Sequence, residues 1–80
     1  MTHKLKTLRE HFVLVLSGVK KFEVLLNDRD YKVGDTLLLQ EWDPKANEYT
    51  GRNLSRIVTY ILEGGIGIHE GFVVLGIKKI

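Results

Sequence analysis

The sequence predicts one α+β domain whose strands curve into a small closed barrel. Three observations predict it. A strand and a helix come first, four further strands follow with short connections, and several strands have apolar residues on both faces. The chain has 80 residues, the size of a single domain over 1–80, and it contains no cysteine. Core packing must therefore supply the stability.

The helix is predicted over about residues 8–17, directly after a short strand over 3–8. Thr7 followed by Glu10 three positions later is typical of a capping box, which satisfies the free amides at a helix start. Gly18 is predicted to end the helix because glycine takes the left-handed conformation at little cost. The apolar stripe predicted to face the core consists of Leu8, Phe12, Val15 and Leu16.

Four more strands are predicted from alternation and β-branched content. In the first of them, Phe22, Val24 and Leu26 are predicted to face the core, with Glu23 and Leu25 on the opposite face. The remaining elements are a turn over 33–35, strands over 36–42, 54–63 and 72–78, a polar loop over 43–51, and a glycine-rich break over 64–67.

Composition narrows the classes of function. The net charge is +2, which does not by itself indicate a nucleic-acid binder, but residues 1–32 have seven Lys/Arg against four Asp/Glu. Any basic surface should therefore come mainly from the first third. No apolar run approaches the ~20 residues of a membrane span, and the start does not resemble a secretory signal, so a cytoplasmic protein without a membrane partner is expected.

Metal and cofactor motifs are not apparent in the sequence. His3, His11 and His69 have no metal-binding spacing, and no glycine-rich phosphate loop follows a strand and opens a helix. We therefore expect no metal and no cofactor.

A family resemblance appears at residues 18–25, Gly-Val-Lys-Lys-Phe-Glu-Val-Leu. This segment resembles the G-x-K-x-x-E-x-R signature of the ASCH domain family, a branch of the PUA-like superfamily. The resemblance covers almost the whole chain and is to a small, mostly uncharacterised bacterial subfamily. It implies a PUA-like β-barrel of five to six strands with one or two short helices, and binding of RNA or a nucleotide in a cleft beside the signature. The other matching segments are 27–31, 33–35, 41–43, 49–52, 58–62 and 71–75.

Lys20 and Glu23 are the first candidates for this cleft. Lys20 would meet a phosphate and Glu23 would accept a hydrogen bond from a base amino group, although the two could equally form an ordinary ion pair at a strand edge. Leu25 stands where the family has arginine, so a planar donor would have to come from Arg29 or Arg52. Arg29 has a second interpretation, because a pair with the preceding aspartate would pin the turn.

Trp42 and Tyr49 could stack on unpaired bases, with Arg52 nearby. Trp42 is more readily explained as closing one end of the barrel, whereas Tyr49 is expected to be exposed in the polar loop. The predicted RNA- or nucleotide-binding residues are Lys20, Glu23, Arg29, Trp42, Tyr49 and Arg52.

Two other functions remain open. One branch of the resembled family consists of small amidohydrolases that deacylate acetylated cytidine with a lysine, a threonine and a glutamate. The family lysine falls on Lys20 here, but the threonine falls on Glu23, and a carboxylate cannot replace the hydroxyl nucleophile. Hydrolysis is therefore less favoured than binding. A protein-interaction domain is the third interpretation.

Overall fold

Five strands form one mixed sheet that curves into a half-barrel, with one short helix against it. This architecture is seen in a computed structural model that describes residues 1–65 and 67–80, so the prediction of a break over 64–67 lies partly outside the described residues. The small α+β fold predicted from the sequence is confirmed at this level. The elements are β1 (Thr2–Leu8), α1 (Arg9–Leu16), β2 (Phe22–Leu26), β3 (Thr36–Asp43), β4 (Glu48–Glu63) and β5 (Phe72–Lys79).

The sheet order is β1-β3-β4-β5-β2. β1 runs parallel to β3, and the other three pairings are antiparallel. β1 and β2 therefore form the two edges of the sheet, and within the described residues the barrel is open and not closed as predicted. Within the described residues, no helix is long and apolar enough to cross a membrane.

The core lies between α1 and the inner face of the sheet. α1 packs on β1 and β3 and buries Phe12 and Val15. Leu8 and Leu16, the outer members of the predicted stripe, are exposed. The buried apolar residues are Leu5, Phe12, Val15, Tyr31, Leu37, Leu39, Val58, Val73, Leu75 and Ile77.

The predicted capping box at Thr7 is wrong. Thr7 lies in β1, its side chain is buried, and its hydroxyl donates to the backbone oxygen of Leu5. The helix starts after Leu8 without a side-chain cap. Strand pairing with β3 is the stronger constraint here, because it fixes the backbone through Leu8 in an extended form. The predicted helix end is confirmed, since Gly18 has a φ of 84°.

The predicted inner face of β2 is also wrong. Phe22, Val24 and Leu26 are about half exposed, whereas Glu23 is buried and Leu25 packs against the core. Pairing with β5 explains this, since Glu23 and Leu25 lie opposite residues that are fully buried. Both faces of β2 contain apolar residues, so the alternation could not choose between them, and a shift of one residue exchanges the faces.

The predicted polar loop is shorter than expected. β4 begins at Glu48, and Tyr49 pairs with Trp42 of β3, so only residues 44–47 connect the two strands. Asn47 has a φ of 55°, which permits this tight turn. The residues predicted as the end of the loop belong to the longest strand of the sheet.

Two bulges shape β4. In the first, Glu41 of β3 faces three residues of β4, Thr50, Gly51 and Arg52. In the second, Thr59 has no partner on β5, so the residues after it change faces relative to the predicted alternation: Tyr60 points outward and Ile61 packs against the core.

Candidate functional site

The signature segment lies where α1 ends and β2 begins. The backbone amide of Lys20 donates to Leu14, which folds the segment back onto the helix. Nζ of Lys20 lies 3.5 Å from Oε2 of Glu23 and 3.1 Å from Nδ1 of His11. The structure thus brings Lys20 and Glu23 together, as the sequence analysis expected, and adds His11 from the helix.

Glu23 is a buried carboxylate with unused hydrogen-bonding capacity. The residue is 6% exposed, and among the described residues its Oε1 has no hydrogen-bond partner. Burial raises the pKa of Glu23, while Lys20 and then His11 oppose that rise. A buried oxygen without a donor is unfavourable unless something supplies one, so this atom is a candidate acceptor for a ligand.

A groove of about 380 Å³ opens beside this cluster. We call it the basic groove, because five of its eight lining residues are Lys or Arg and, of the described residues that line it, none is acidic. The C-terminal end of α1 contributes its negative dipole end there, which favours nearby cations. The lining residues are Val15, Gly18, Lys20, Lys21, Arg56, Ile77, Lys78 and Lys79.

Three elements supply the positive charges of the basic groove. Lys20 and Lys21 precede β2, Arg56 comes from β4, and Lys78 and Lys79 come from the end of β5. Arg56 is buried, and its guanidinium donates to the backbone oxygens of residues 55 and 15, at 2.9 and 3.4 Å. Arg56 therefore fixes the helix end to the sheet, while Lys21, Lys78 and Lys79 remain exposed.

The contribution of Arg56, Lys78 and Lys79 was not predicted from the sequence. These residues are more than thirty positions from the signature. The pairing of Arg56 with Lys79 joins β4 to β5, and the pairing of β5 with β2 brings both to the signature. The available signal was the pair of lysines at the end of the last strand. Interpreting it would have required the strand order.

Arg52 is part of a different cluster. Its Nε and Nη2 donate to the two oxygens of Glu41 at 2.9 and 2.7 Å, and Thr50 donates to the same carboxylate. Glu41 is fully buried. Hydrogen bonds from Arg52 and then Thr50 lower the pKa of Glu41 to about 2, with the charge of Arg9 adding to them. The guanidinium of Arg52 thus neutralises a buried charge and lies outside the basic groove.

Arg29 also lies away from the basic groove. Its Nη1 donates to the backbone oxygen of Lys4 at 2.8 Å, and its Nε is 4.0 Å from Asp28. Arg29 therefore covers the outer edge of β1. Neither Arg29 nor Arg52 replaces the arginine of the resembled signature.

Trp42 and Tyr49 form an edge-to-face pair across β3 and β4, with ring centroids 4.9 Å apart. Lys6 lies 3.9 Å from the centre of the Trp42 ring, a cation–π contact. Tyr49 is exposed, and Trp42 is partly covered. These two aromatic residues share no position with the lining of the basic groove, so the six predicted residues do not form one site.

The histidines occupy separate places. Nε2 of His3 is hydrogen-bonded to Oδ2 of Asp35 at 2.8 Å, His11 contacts Lys20, and the ring of His69 lies edge-on to Phe72. The hydrogen bond between His3 and Asp35, with further ones from the Lys32 amide and the terminal amino group, lowers the pKa of Asp35 to about 2. In the part of the chain that the structure describes, no group of three His, Asp or Glu side chains could hold a metal ion.

Comparison with known proteins places the chain in a family. It is 38% identical over 61 residues to the "Uncharacterized 12.9 kDa protein in GpA 3'region" of Escherichia phage P2. That alignment covers 76% of this chain and 54% of the phage protein, so the chain spans about half the length of this relative. Residues 2–77 match the family described as "Domain of unknown function (DUF3850)". The chain therefore belongs to the DUF3850 family.

Proposed function

We propose that this protein binds RNA, or a nucleotide-sized part of it, in the basic groove. The observation that supports this most strongly is the charge of the lining: five cationic residues from three elements converge, and no carboxylate lines the groove among the described residues. Positively charged side chains repel one another and attract anions. A surface where several of them converge therefore favours a polyanionic partner.

The unpaired oxygen of Glu23 supports the proposal that a base binds beside the phosphates. Glu23 Oε1 is a buried acceptor next to Lys20, and exocyclic amino groups of bases donate to carboxylates. A volume of about 380 Å³ is large enough for a nucleotide, since small-molecule sites occupy about 300–1,000 Å³. We therefore propose that phosphate binds to the lysines and that a base edge reaches Glu23.

We further propose that the half-barrel is a PUA-like domain of the ASCH type. Of the residues that carry the resemblance, Gly18 and Lys20 line the groove, and Glu23 contacts Lys20 beside it. Leu25, at the position of the family's arginine, is partly buried and packs against the core. In this chain the exposed lysines at the groove would supply the positive charge instead.

The proposal implies weak and salt-dependent binding. Lys20, Lys21, Lys78 and Lys79 allow about four phosphate contacts, and each contact on a single strand contributes ~0.7 to the slope of log K against log salt. We expect a slope near −3 and a Kd in the micromolar range at low salt.

The test is a fluorescence anisotropy titration of a labelled single-stranded RNA at several salt concentrations. The double variant Lys21→Ala, Lys78→Ala removes two exposed groove cations. Its matched control is Lys4→Ala, Lys45→Ala, which removes the same charge from exposed positions outside the groove. We expect the groove variant to lose about tenfold or more in affinity and to reduce the slope by ~1.4, with little change in the control. Equal effects of the two variants would contradict the proposal.

A further inference from the structure

β2 is an edge strand whose free side presents unpaired backbone groups. The amide of Ile77 donates to Lys21, and the amide of Asn27 donates to Gly71, so the odd-numbered residues of this segment bond to β5. In an antiparallel ladder the alternate residues point the other way. The N–H and C=O groups of Phe22, Val24 and Leu26 therefore face the free edge, along which no other strand pairs among the described residues.

The outer face of β2 is apolar and continues onto its neighbours. Phe22, Val24 and Leu26 are 46%, 53% and 57% exposed. Across the sheet, Val24 lies opposite Val74, which lies opposite Leu62, and both of these side chains are also partly accessible. A contiguous apolar surface of this kind usually marks an interaction site.

The two edges of the sheet differ in how they are protected. On β1, Lys4 and Lys6 are exposed, and Arg29 donates to the backbone oxygen of Lys4. On β2 the only charged residue is Glu23, which points inward. Proteins normally guard a free edge with charge or cover, so an apolar and unguarded edge indicates one that is covered by another strand.

We propose that this edge pairs with the β2 strand of a second copy of the chain, in antiparallel orientation about a two-fold axis at Val24. The hydrogen-bonding groups on the free edge belong to the even-numbered residues, so the pairing must match even residues with even residues. The register that pairs all three puts Val24 opposite the partner's Val24 and Phe22 opposite the partner's Leu26.

Charge favours this partner and this orientation. β2 is preceded by Lys20 and Lys21 and followed by Asp28, Arg29 and Asp30, with Arg29 4.0 Å from Asp28 and Lys32 3.2 Å from Asp30. In the antiparallel dimer the two lysines of one strand lie beside a mixed-charge segment with two carboxylates on the other, whereas a parallel arrangement would bring the two pairs of lysines together. The strand is thus complementary to itself, which is what an interface with two-fold symmetry requires. The dimer would contain one continuous sheet of ten strands.

The first test is sedimentation velocity of the full chain from about 1 to 300 µM, a range that covers moderate affinities. We expect a reversible dimer. Val24→Lys places two like charges opposite each other at the axis and should raise the dimer Kd by about tenfold or more. Val33→Lys is the matched control, because Val33 is 62% exposed and lies outside the apolar surface of β2. Thermal melts of both variants establish that they are folded.

The second test measures the register. The chain has no cysteine, so a single introduced cysteine reports one contact. Opposite residues of a hydrogen-bonded antiparallel pair have Cα atoms ~5.5 Å apart, within reach of a disulfide, whereas two copies of residue 26 would be ~14 Å apart. Val24→Cys should form a covalent dimer on mild oxidation, and Leu26→Cys should not.

Two results would overturn the proposal. One is a protein that stays monomeric throughout the concentration range, which would mean that a different chain covers the edge. The other is a dimer that Val24→Lys leaves intact or that Leu26→Cys links as readily as Val24→Cys, which would place the interface or the register elsewhere.

Discussion

Gly76 lies at the centre of β5, opposite the bulge of β4, and tests the packing there. A Cβ atom added to Gly76 would lie 2.9 Å from Oγ1 of Thr59 and 3.4 Å from Cβ of Tyr60. Ordinary contact begins at about 3.5 Å, so Gly76→Ala requires a movement of about 0.6 Å. Thr59 is β-branched, so one of the two χ1 rotations that move its hydroxyl away brings its methyl group into the same space.

The expected loss is set by two opposing contributions. Overpacking of this kind costs ~1–3 kcal/mol, whereas replacing a strand glycine by alanine returns ~0.5–1 kcal/mol of backbone entropy. We expect Gly76→Ala to lower the free energy of unfolding by about 1 kcal/mol, which corresponds to about 4–8 °C in Tm for a domain of this size. Urea unfolding followed by circular dichroism measures it.

Measuring Gly76→Ala in a Thr59→Ala background tests whether the contact with Thr59 causes the loss of stability. With the hydroxyl and the methyl group removed, Gly76→Ala should cost nothing or stabilise slightly, which gives a coupling energy of about 1 kcal/mol or more between the two positions. If Gly76→Ala costs the same with and without Thr59, the close contact is not the reason, and the placement of the bulge at Thr59 is wrong.

Three further predictions follow from buried or constrained positions. Leu25→Arg should lower the free energy of unfolding by about 2 kcal/mol without raising RNA affinity, because a charge is forced against the core. Leu26→Arg, at a position exposed in the monomer, should be nearly neutral at protein concentrations at which the chain is monomeric, and equal Tm values for the two variants there would refute the assignment of faces in β2. Gly34→Val should cost about 1 kcal/mol or more because φ is 96° there, and Gly34→Asn should cost less; a valine variant with wild-type urea midpoint would disagree. Glu41 has a pKa of about 2 in the folded chain against 4.5 ordinarily, so its contribution to the free energy of unfolding is present above pH 4.5 and is lost as the pH falls toward 2. Glu41→Gln should lower Tm at pH 7 and flatten the dependence of Tm on pH between 4.5 and 2. An unchanged fall of Tm in that range would count against the ion pair of Glu41 with Arg52.

The order and type of most elements could be predicted because they depend on local signals. Glycine at position 18 ended the helix, an unbroken apolar run located β3, and a run rich in β-branched residues located β5, both close to their observed bounds. The inner face of β2 could not be predicted, since only its pairing with β5 shows that Glu23 faces the core. The face change after Thr59 was likewise invisible, because a bulge inserts one residue without a sequence signature as specific as a turn.

The candidate site was predictable only where its residues are close in sequence. Lys20 and Glu23 are three positions apart and were found, whereas Lys78 and Lys79 reach the groove through the strand order β4-β5-β2. The prediction for Arg52 did not include its buried partner Glu41. From the sequence alone Glu41 is expected to be an exposed strand residue, and only the bulge places Arg52 over it. Long-range pairing decides such contacts.

The most direct measurement of the proposed function is a ¹H–¹⁵N correlation titration of the protein with a short single-stranded RNA at low salt. If the basic groove is the binding site, saturable shifts should be largest at the amides of residues 18–23 and 77–79, and they should vanish as salt is raised. Shifts centred on Trp42 and Tyr49, or no saturable shift at any amide, would contradict the account.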